Sequence, residues 1–209
     1  MGILQLNKSA WNKIGARIAS SKIKNKKYLK MFGLFCKKLP KKGTVLDLGC
    51  GPGIPITKEL VKRGFSVTGI DLSDKMIWLA RKNVPNAKYC CISMTSIKFS
   101  NEFDGIISSY SMLCLNPEDF KKTAAKVSKA LKKGGYFLLV LNESPEKHKE
   151  NESYVRIMGQ KMYSRPYTEK EIKMIFKKYN LKIVKVDRET IFSKNYGKEY
   201  SLLILMKKH

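Results

Sequence analysis

Residues Thr44 to Gly53 read T-V-L-D-L-G-C-G-P-G, an aliphatic and β-branched run that ends in an acid and breaks into three closely spaced glycines. Few folds accept such a segment. A parallel strand buried on both faces needs consecutive apolar residues, and Val45, Leu46 and Leu48 supply them. Gly49, Gly51 and Gly53 let the backbone turn sharply and approach a ligand. The spacing of apolar residues from Ile56 to Val61, stopped by Lys62, Arg63 and Gly64, predicts a helix directly after the loop. Phe65 to Ile70 predicts a second strand, with Asp71 at its tip. An acid about 20 residues beyond a strand-to-helix glycine loop is placed to accept hydrogen bonds from ribose hydroxyls in a Rossmann-like unit.

The glycine spacing separates cofactor classes. A dinucleotide fingerprint reads G-x-G-x-x-G, with the pyrophosphate on the helix N-terminus. Here Gly49, Cys50, Gly51, Pro52 and Gly53 give G-x-G-x-G, and Asp47 stands just before them. A carboxylate in that place faces phosphates badly. It suits a cationic ligand, such as the amino end of a methionine moiety beside a sulfonium.

At these residues the chain resembles the class I S-adenosylmethionine-dependent methyltransferases, most closely the small-molecule, type 11-like group with the D-L-G-C-G-x-G loop. The specific part of the resemblance is Val45 to Lys75; beyond Tyr110 only the general layout matches. The resemblance implies a Rossmann-like α/β fold, a doubly wound seven-stranded sheet that is mostly parallel, with an antiparallel C-terminal hairpin and helices on both faces. It implies S-adenosylmethionine as cofactor and S-adenosylhomocysteine as product. Asp47 is then expected to meet the methionine amino group, directly or through water, and Asp71 the ribose. Gly49, Cys50, Gly51 and Gly53 form the loop, Leu72 and Met76 line the adenine pocket, and Ser109 lies at the end of the fourth strand. Met76 is at helical spacing and serves equally well as core. After the third strand the family commonly places an acid that accepts the adenine amino group; here C-C-I-S-M-T offers Ser93, with the backbone of Met94 beside it. That departure keeps a cofactor-binding protein without catalysis as an alternative.

With 209 residues the chain is long enough for one well-buried domain. It is read as a single unit over 1–209, with residues 1–40 as an N-terminal helical cap and 142–167 as a lid over the substrate. Its longest apolar run, Tyr136 to Leu141, is far too short to span a bilayer, and the N-terminus lacks a signal-peptide core, so a cytoplasmic location is expected. The five cysteines, Cys36, Cys50, Cys90, Cys91 and Cys114, include no C-x-x-C pair, and His148 and His209 are the only histidines. Reduced thiols and no metal site are expected.

The net charge of +25 points to a polyanion partner if taken alone. Arginine is scarce, however, and the lysines are scattered doublets apart from the cluster Lys22 to Lys27. A polyanion site more often concentrates arginine and interleaves aromatics. The segment after strand four, Ser108 to Leu113, contains no Asn-Pro-Pro-Tyr or Asp-Pro-Pro-Tyr for holding a flipped base. A nucleic-acid methyltransferase therefore remains the alternative, and a small-molecule acceptor the main expectation.

Leu4 to Leu39 has helical periodicity, with Trp11, Ile14 and Ile18 on one face and Tyr28, Phe32 and Phe35 on another. Helices are also predicted from Ser73 to Asn83, from Asn116 to Leu131 and after the capping box of Thr168 and Glu171. Strands are predicted at Lys88 to Ile92, Phe103 to Ser108, Tyr136 to Leu141, Leu181 to Val186 and Tyr200 to Met206, the last two joined by a long polar connection. Asp104 starts the fourth strand, away from the ligand edge, and is read as structural. Asn142 to Ser153 reads as loop or lid. Trp11, Met112, Met158, Met162, Tyr163, Arg165 and Tyr167, with Tyr110, form the candidate acceptor wall, and Arg165 a candidate anchor for a carboxylate or phosphate. The Met and Tyr residues equally suit packing around the C-terminal helix. Tyr110 and Glu143 are the candidates for orienting or deprotonating the acceptor.

Overall fold

Val45, Leu46 and Leu48 are wholly buried in β1 (Thr44–Leu48), as a strand covered on both faces requires. The structure is a computed structural model and describes residues 2–18, 25–144, 153–193 and 197–209. The chain begins with α1 (Ile3–Ile14), a 3-10 turn over Gly15–Ile18 and α2 (Lys26–Lys38). After β1 it alternates through α3 (Ile56–Lys62), β2 (Ser66–Asp71), α4 (Asp74–Asn83), β3 (Lys88–Cys91), β4 (Phe103–Ser109), α5 (Pro117–Ala130) and β5 (Leu131–Asn142). A hairpin of β6 (Tyr154–Ile157) and β7 (Gln160–Tyr163) precedes α6 (Glu169–Lys177), and β8 (Leu181–Ser193) and β9 (Gly197–Lys208) close the chain.

Seven strands make one sheet in the order β3-β2-β1-β4-β5-β9-β8. The first five are parallel and β9 pairs antiparallel with both β5 and β8, so the order reverses between β1 and β4. Ligand sites of open α/β sheets lie beyond the carboxyl ends of the strands at that reversal.

Side chains alternate across the sheet with period two. Leu46, Leu48, Phe137, Leu139, Leu202 and Ile204 face Phe120 and Val127 of α5 and Ile172 and Phe176 of α6. Val45, Val67, Leu138, Val140, Leu203 and Leu205 face Tyr28, Phe32 and Phe35 of α2 and Leu60 of α3. Each such aliphatic or aromatic side chain contributes about 1.5–3 kcal/mol on burial. The caps follow the sequence: Asn116 Oδ1 accepts from Asp119 N–H at 2.8 Å, Ser73 Oγ from Met76 N–H at 3.1 Å, and Thr168 and Glu171 complete their capping box.

Two expectations are revised, and a third falls partly outside the described residues. The segment 154–163 is a two-stranded ribbon lying against α1, while 145–152 of the expected lid lie outside the described residues. The long polar connection before the last strand is largely strand: β8 runs on to Ser193 and β9 begins at Gly197, so both outreach Val186 and Tyr200. Of the Lys22 to Lys27 cluster and the helix expected across it, residues 19–24 also lie outside the described residues.

Candidate functional site

The loop after β1 is clamped to the end of β2, because Gly49 N–H and Cys50 N–H both donate to the Ile70 carbonyl at 2.9 Å. Gly49 has φ +79°, and a Cβ there would stand 2.3 Å from Ser111 Cβ. Only glycine permits that approach. Ser111 is itself fixed, donating to the Leu48 carbonyl and sharing a 2.7 Å hydrogen bond with Ser108 Oγ. Gly51, at φ +53°, has open space where a Cβ would lie.

Two acids flank this loop at the carboxyl ends of adjacent strands. Asp47 is 2% exposed, and its Oδ2 accepts a 2.6 Å hydrogen bond from Thr57 Oγ1. Burial pushes its carboxyl up to about 7; the Thr57 hydrogen bond pulls it back and nearby Asp71 adds to the rise. Asp71 accepts Gly51 N–H at 2.9 Å and Ser73 N–H at 2.8 Å, one on each oxygen. Burial raises its pKa too, opposed by those N–H groups. A carboxylate has about four acceptor positions, so Asp71 keeps lone pairs for a ligand after holding the loop and the start of α4.

Above these residues lies a cavity of about 490 Å³. It is within the usual size range for small-molecule sites. Of the residues expected at a cofactor site, Asp47, Gly49, Cys50, Gly51, Asp71, Leu72, Met76, Ser93, Met94 and Ser109 line it. Tyr110 and Trp11 line it as well. The Cys50 side chain also packs with Ile77, Ala80 and Tyr89. Tyr110 takes φ +53°, and its hydroxyl shares a 2.7 Å hydrogen bond with Ser201 Oγ.

The structure does not bring the remaining candidates to the wall. A Cβ on Gly53 would meet Ala80 Cα and Tyr89 Oη at 3.2 Å, so this glycine lets the loop pack on α4. Met112 is fully buried in the core beneath α5. Met158 and Met162 pack with Ala10 and Ile14 under the ribbon. Tyr163 is 4% exposed, its backbone held by Asn7. Arg165 is committed to Glu171 at 2.8 Å and stacks on Tyr167, so it does not anchor an anion in the cavity. Tyr167 stacks in turn on Phe120. Glu143 accepts hydrogen bonds from Arg188 Nε on both oxygens, at 2.9 and 2.8 Å, and lies off the wall. Asp104 is structural as expected, bound by Thr44 N–H at 2.8 Å and Lys132 Nζ at 2.9 Å.

Other lining residues were not anticipated. Asn7 of α1 reaches the wall and also donates to the carbonyls of Cys114 and Tyr163, each at 3.0 Å. Asn142 and Glu199 line it from β5 and β9. Asn142 ends the apolar run of β5 as a ligand-edge residue does; Glu199 carried no such signal. Among the described residues no group of three His, Cys, Asp or Glu is placed to hold a metal ion, and no helix is long and apolar enough to cross a membrane.

Comparison with known proteins bears on this arrangement. Residues 45–135 match a family model described as a methyltransferase domain. A Bacillus subtilis protein named as a methyltransferase, YqeM, is 34% identical over 112 residues, covering 51% of this chain and 45% of that protein. The chain thus spans about half the length of the curated relatives it matches. Among solved structures, a SAM-dependent methyltransferase from Methanosarcina mazei superposes with a TM-score of 0.73 at 22% identity, over 84% of this chain and 96% of that one. The Burkholderia thailandensis 1,6-didemethyltoxoflavin-N1-methyltransferase, solved with 1,6-didemethyltoxoflavin and S-adenosylhomocysteine, gives 0.74 at 18% identity, over 98% and 88%.

Proposed function

We propose that this chain, a class I S-adenosylmethionine-dependent methyltransferase, transfers a methyl group to an oxygen, nitrogen or carbon atom of a small molecule. One observation carries the reading: Asp47 and Asp71 stand at the ends of neighbouring parallel strands, on either side of a loop whose Gly51 faces open space, and all three line one cavity. These residues suit the cofactor. Asp47 offers a carboxylate to a cationic amino group, Asp71 offers free lone pairs to ribose hydroxyls, and Leu72, Met76, Ser93 and Met94 supply a mostly apolar seat for a base. When bound, S-adenosylmethionine supplies a methyl group already activated for displacement by its sulfonium.

The protein's part is to align the acceptor and exclude water, and such positioning is worth about 7–11 kcal/mol. Burial pushes the Tyr110 hydroxyl up to about 12, with the Ser201 hydrogen bond opposing the rise. Tyr110 therefore stays protonated at neutral pH and orients an acceptor rather than deprotonating it. Support for a small acceptor comes from the size of the cavity, about 490 Å³, and from the small-molecule ligand named with the Burkholderia enzyme.

Calorimetric titration with S-adenosylmethionine and S-adenosylhomocysteine tests the reading. Micromolar binding to the wild type and strong weakening in Asp71→Ala are expected. No binding of either ligand to the wild type overturns it.

A further inference from the structure

The chain carries 42 Lys and Arg residues against 17 Asp and Glu. The cavity wall inverts that balance: among the described residues it holds three carboxylates, Asp47, Asp71 and Glu199, and no Lys or Arg. A random sample of this surface would be dominated by lysine. The sign of the wall's charge bears on which ligands it takes, because a charged group in a mostly apolar cleft interacts far more strongly than one in water.

Two of the three acids belong to the cofactor half. The third does not. Across the sheet the ligand-edge residues run Asp71 on β2, Asp47 on β1, Ser109 on β4, Asn142 on β5 and Glu199 on β9, in strand order. Adjacent strands lie about 4.8 Å apart, which sets Glu199 about 14 Å from Asp47 along the sheet, at the opposite end of the cavity. Nearby acids are already engaged. Glu143 is held by Arg188, and Glu189 accepts the N–H groups of Lys27 and Tyr28 at the start of α2. Glu199 is paired with Ile191 through the sheet, and its side chain has no hydrogen bond or ion pair with any described residue.

We infer that Glu199 reads the charge of the methyl acceptor, so that this site takes a neutral or cationic molecule with an N–H or O–H donor and rejects carboxylates and phosphates. The inference rests on the methyltransferase reading above and narrows its substrate class. It also separates the positive surface from the chemistry. An acceptor that is a polyanion meets carboxylates on β1, β2 and β9 and, among the described residues, no lining cation to compensate them. Glu199 acts here as a specificity-determining residue; Asn142 beside it offers an uncharged donor and acceptor to the same end of the ligand.

The test uses the full chain saturated with S-adenosylhomocysteine and three single-ring probes of similar size: phenethylamine, 4-ethylphenol and 3-phenylpropionate. Their affinities are read by ligand-observed NMR. The amine or the phenol is expected to bind at least about tenfold more tightly than the carboxylate, a gap of about 1.4 kcal/mol. Glu199→Gln narrows the gap, and Glu199→Lys reverses it in favour of 3-phenylpropionate, both with S-adenosylhomocysteine affinity unchanged. Three results overturn the inference: 3-phenylpropionate binding as well as the amine and the phenol, the same order in both variants, or no binding of any probe to a protein that binds S-adenosylhomocysteine. Failure of S-adenosylhomocysteine itself to bind the wild type overturns the methyltransferase reading and this inference together.

Discussion

The hydroxyl of Thr57 donates a 2.6 Å hydrogen bond to Asp47, joining the first turn of α3 to β1 in the protein interior. It is a single neutral donor on a buried carboxyl, and burial outweighs it, leaving Asp47 raised from 3.8 to about 7. Between those values the folded protein holds a proton that the unfolded chain has released. Stability is therefore free of this penalty at low pH and falls as pH rises through the window, by up to about 4 kcal/mol for a shift of that size. Urea midpoints of the ligand-free protein are expected to drop between about pH 4 and pH 7 and to level off above, and the drop to be much smaller in Asp47→Asn. Asp71, raised in the same direction, leaves a residual slope. Equal midpoints across that range in the wild type would show that Asp47 ionises freely.

With Asp47 facing the cofactor's amino group as proposed, the same group sets the pH dependence of cofactor binding. A cationic amino group favours the ionised form of Asp47, so binding below its pKa must expel a proton. Affinity for S-adenosylmethionine is expected to rise with pH, by up to about tenfold per unit below about pH 7, and to level off above it. Titration in buffers of different ionisation enthalpy counts the released protons. A flat profile in the wild type would separate Asp47 from the ligand's charge.

Gly49 and Gly51 predict opposite consequences of one substitution. Gly49→Ala places a methyl group 2.3 Å from Ser111 Cβ, at a positive φ. Overpacking of about 1–3 kcal/mol adds to about 1 kcal/mol of backbone strain. Gly51→Ala meets nothing within 4 Å and carries the backbone term alone, yet its methyl group enters the cavity. Thermal melts are expected to show a large loss of stability for the first and a small one for the second. Calorimetry is expected to show the second binding S-adenosylhomocysteine much more weakly.

The central sheet was legible because buried strands and caps leave local signatures. Val45 to Asp71 announced β1, the loop, α3 and β2 within a residue or two, and Thr168 with Glu171 marked the start of α6. The ribbon β6–β7 was not legible. Its turn is Met158-Gly159, with φ 48° and 80°, where Asn-Gly or Asp-Gly is the usual signal for two left-handed positions. Methionine there reads as an apolar anchor, and that is how Met158 entered the list of acceptor contacts. Glu143 and Arg165 were plausible by position alone, and only the three-dimensional pairing with Arg188 and Glu171 removes them from the cavity. Glu199 was hidden for the converse reason, since a polar residue before a strand looks like any other connection until β9 is laid beside β5.

Glu143→Gln measures what the Arg188 pairing is worth. Arg188 is half exposed and also bonds Glu169 at 2.7 Å, so it keeps a partner in the variant. The expected cost is under about 1 kcal/mol and shrinks with added salt. S-adenosylhomocysteine affinity is expected to be unchanged. A fall in turnover of a hundredfold or more with an identified acceptor, about the least that a lost general base produces, would restore Glu143 as that base.

Asn7 predicts a larger effect from a residue with no charge. It is 3% exposed, donates to the carbonyls of Cys114 and Tyr163 at 3.0 Å each, and accepts Tyr163 N–H at 2.8 Å. One side chain thus ties α1 to the ribbon and to the turn after β4, on the wall of the cavity. Asn7→Leu keeps the volume and strands those backbone groups, each costing about 1–3 kcal/mol when buried and unsatisfied. A loss on the order of 3 kcal/mol is expected in the urea midpoint. α1 and the ribbon line the cavity, and α1 meets the rest of the fold through Leu4 on the core and Asn12 on Ser73, so limited proteolysis of the variant is expected to release the N-terminal segment first and leave the sheet core resistant. S-adenosylhomocysteine should then slow cleavage of the wild type more than that of the variant. Uniform cleavage across the chain would instead make α1 part of the cooperative core.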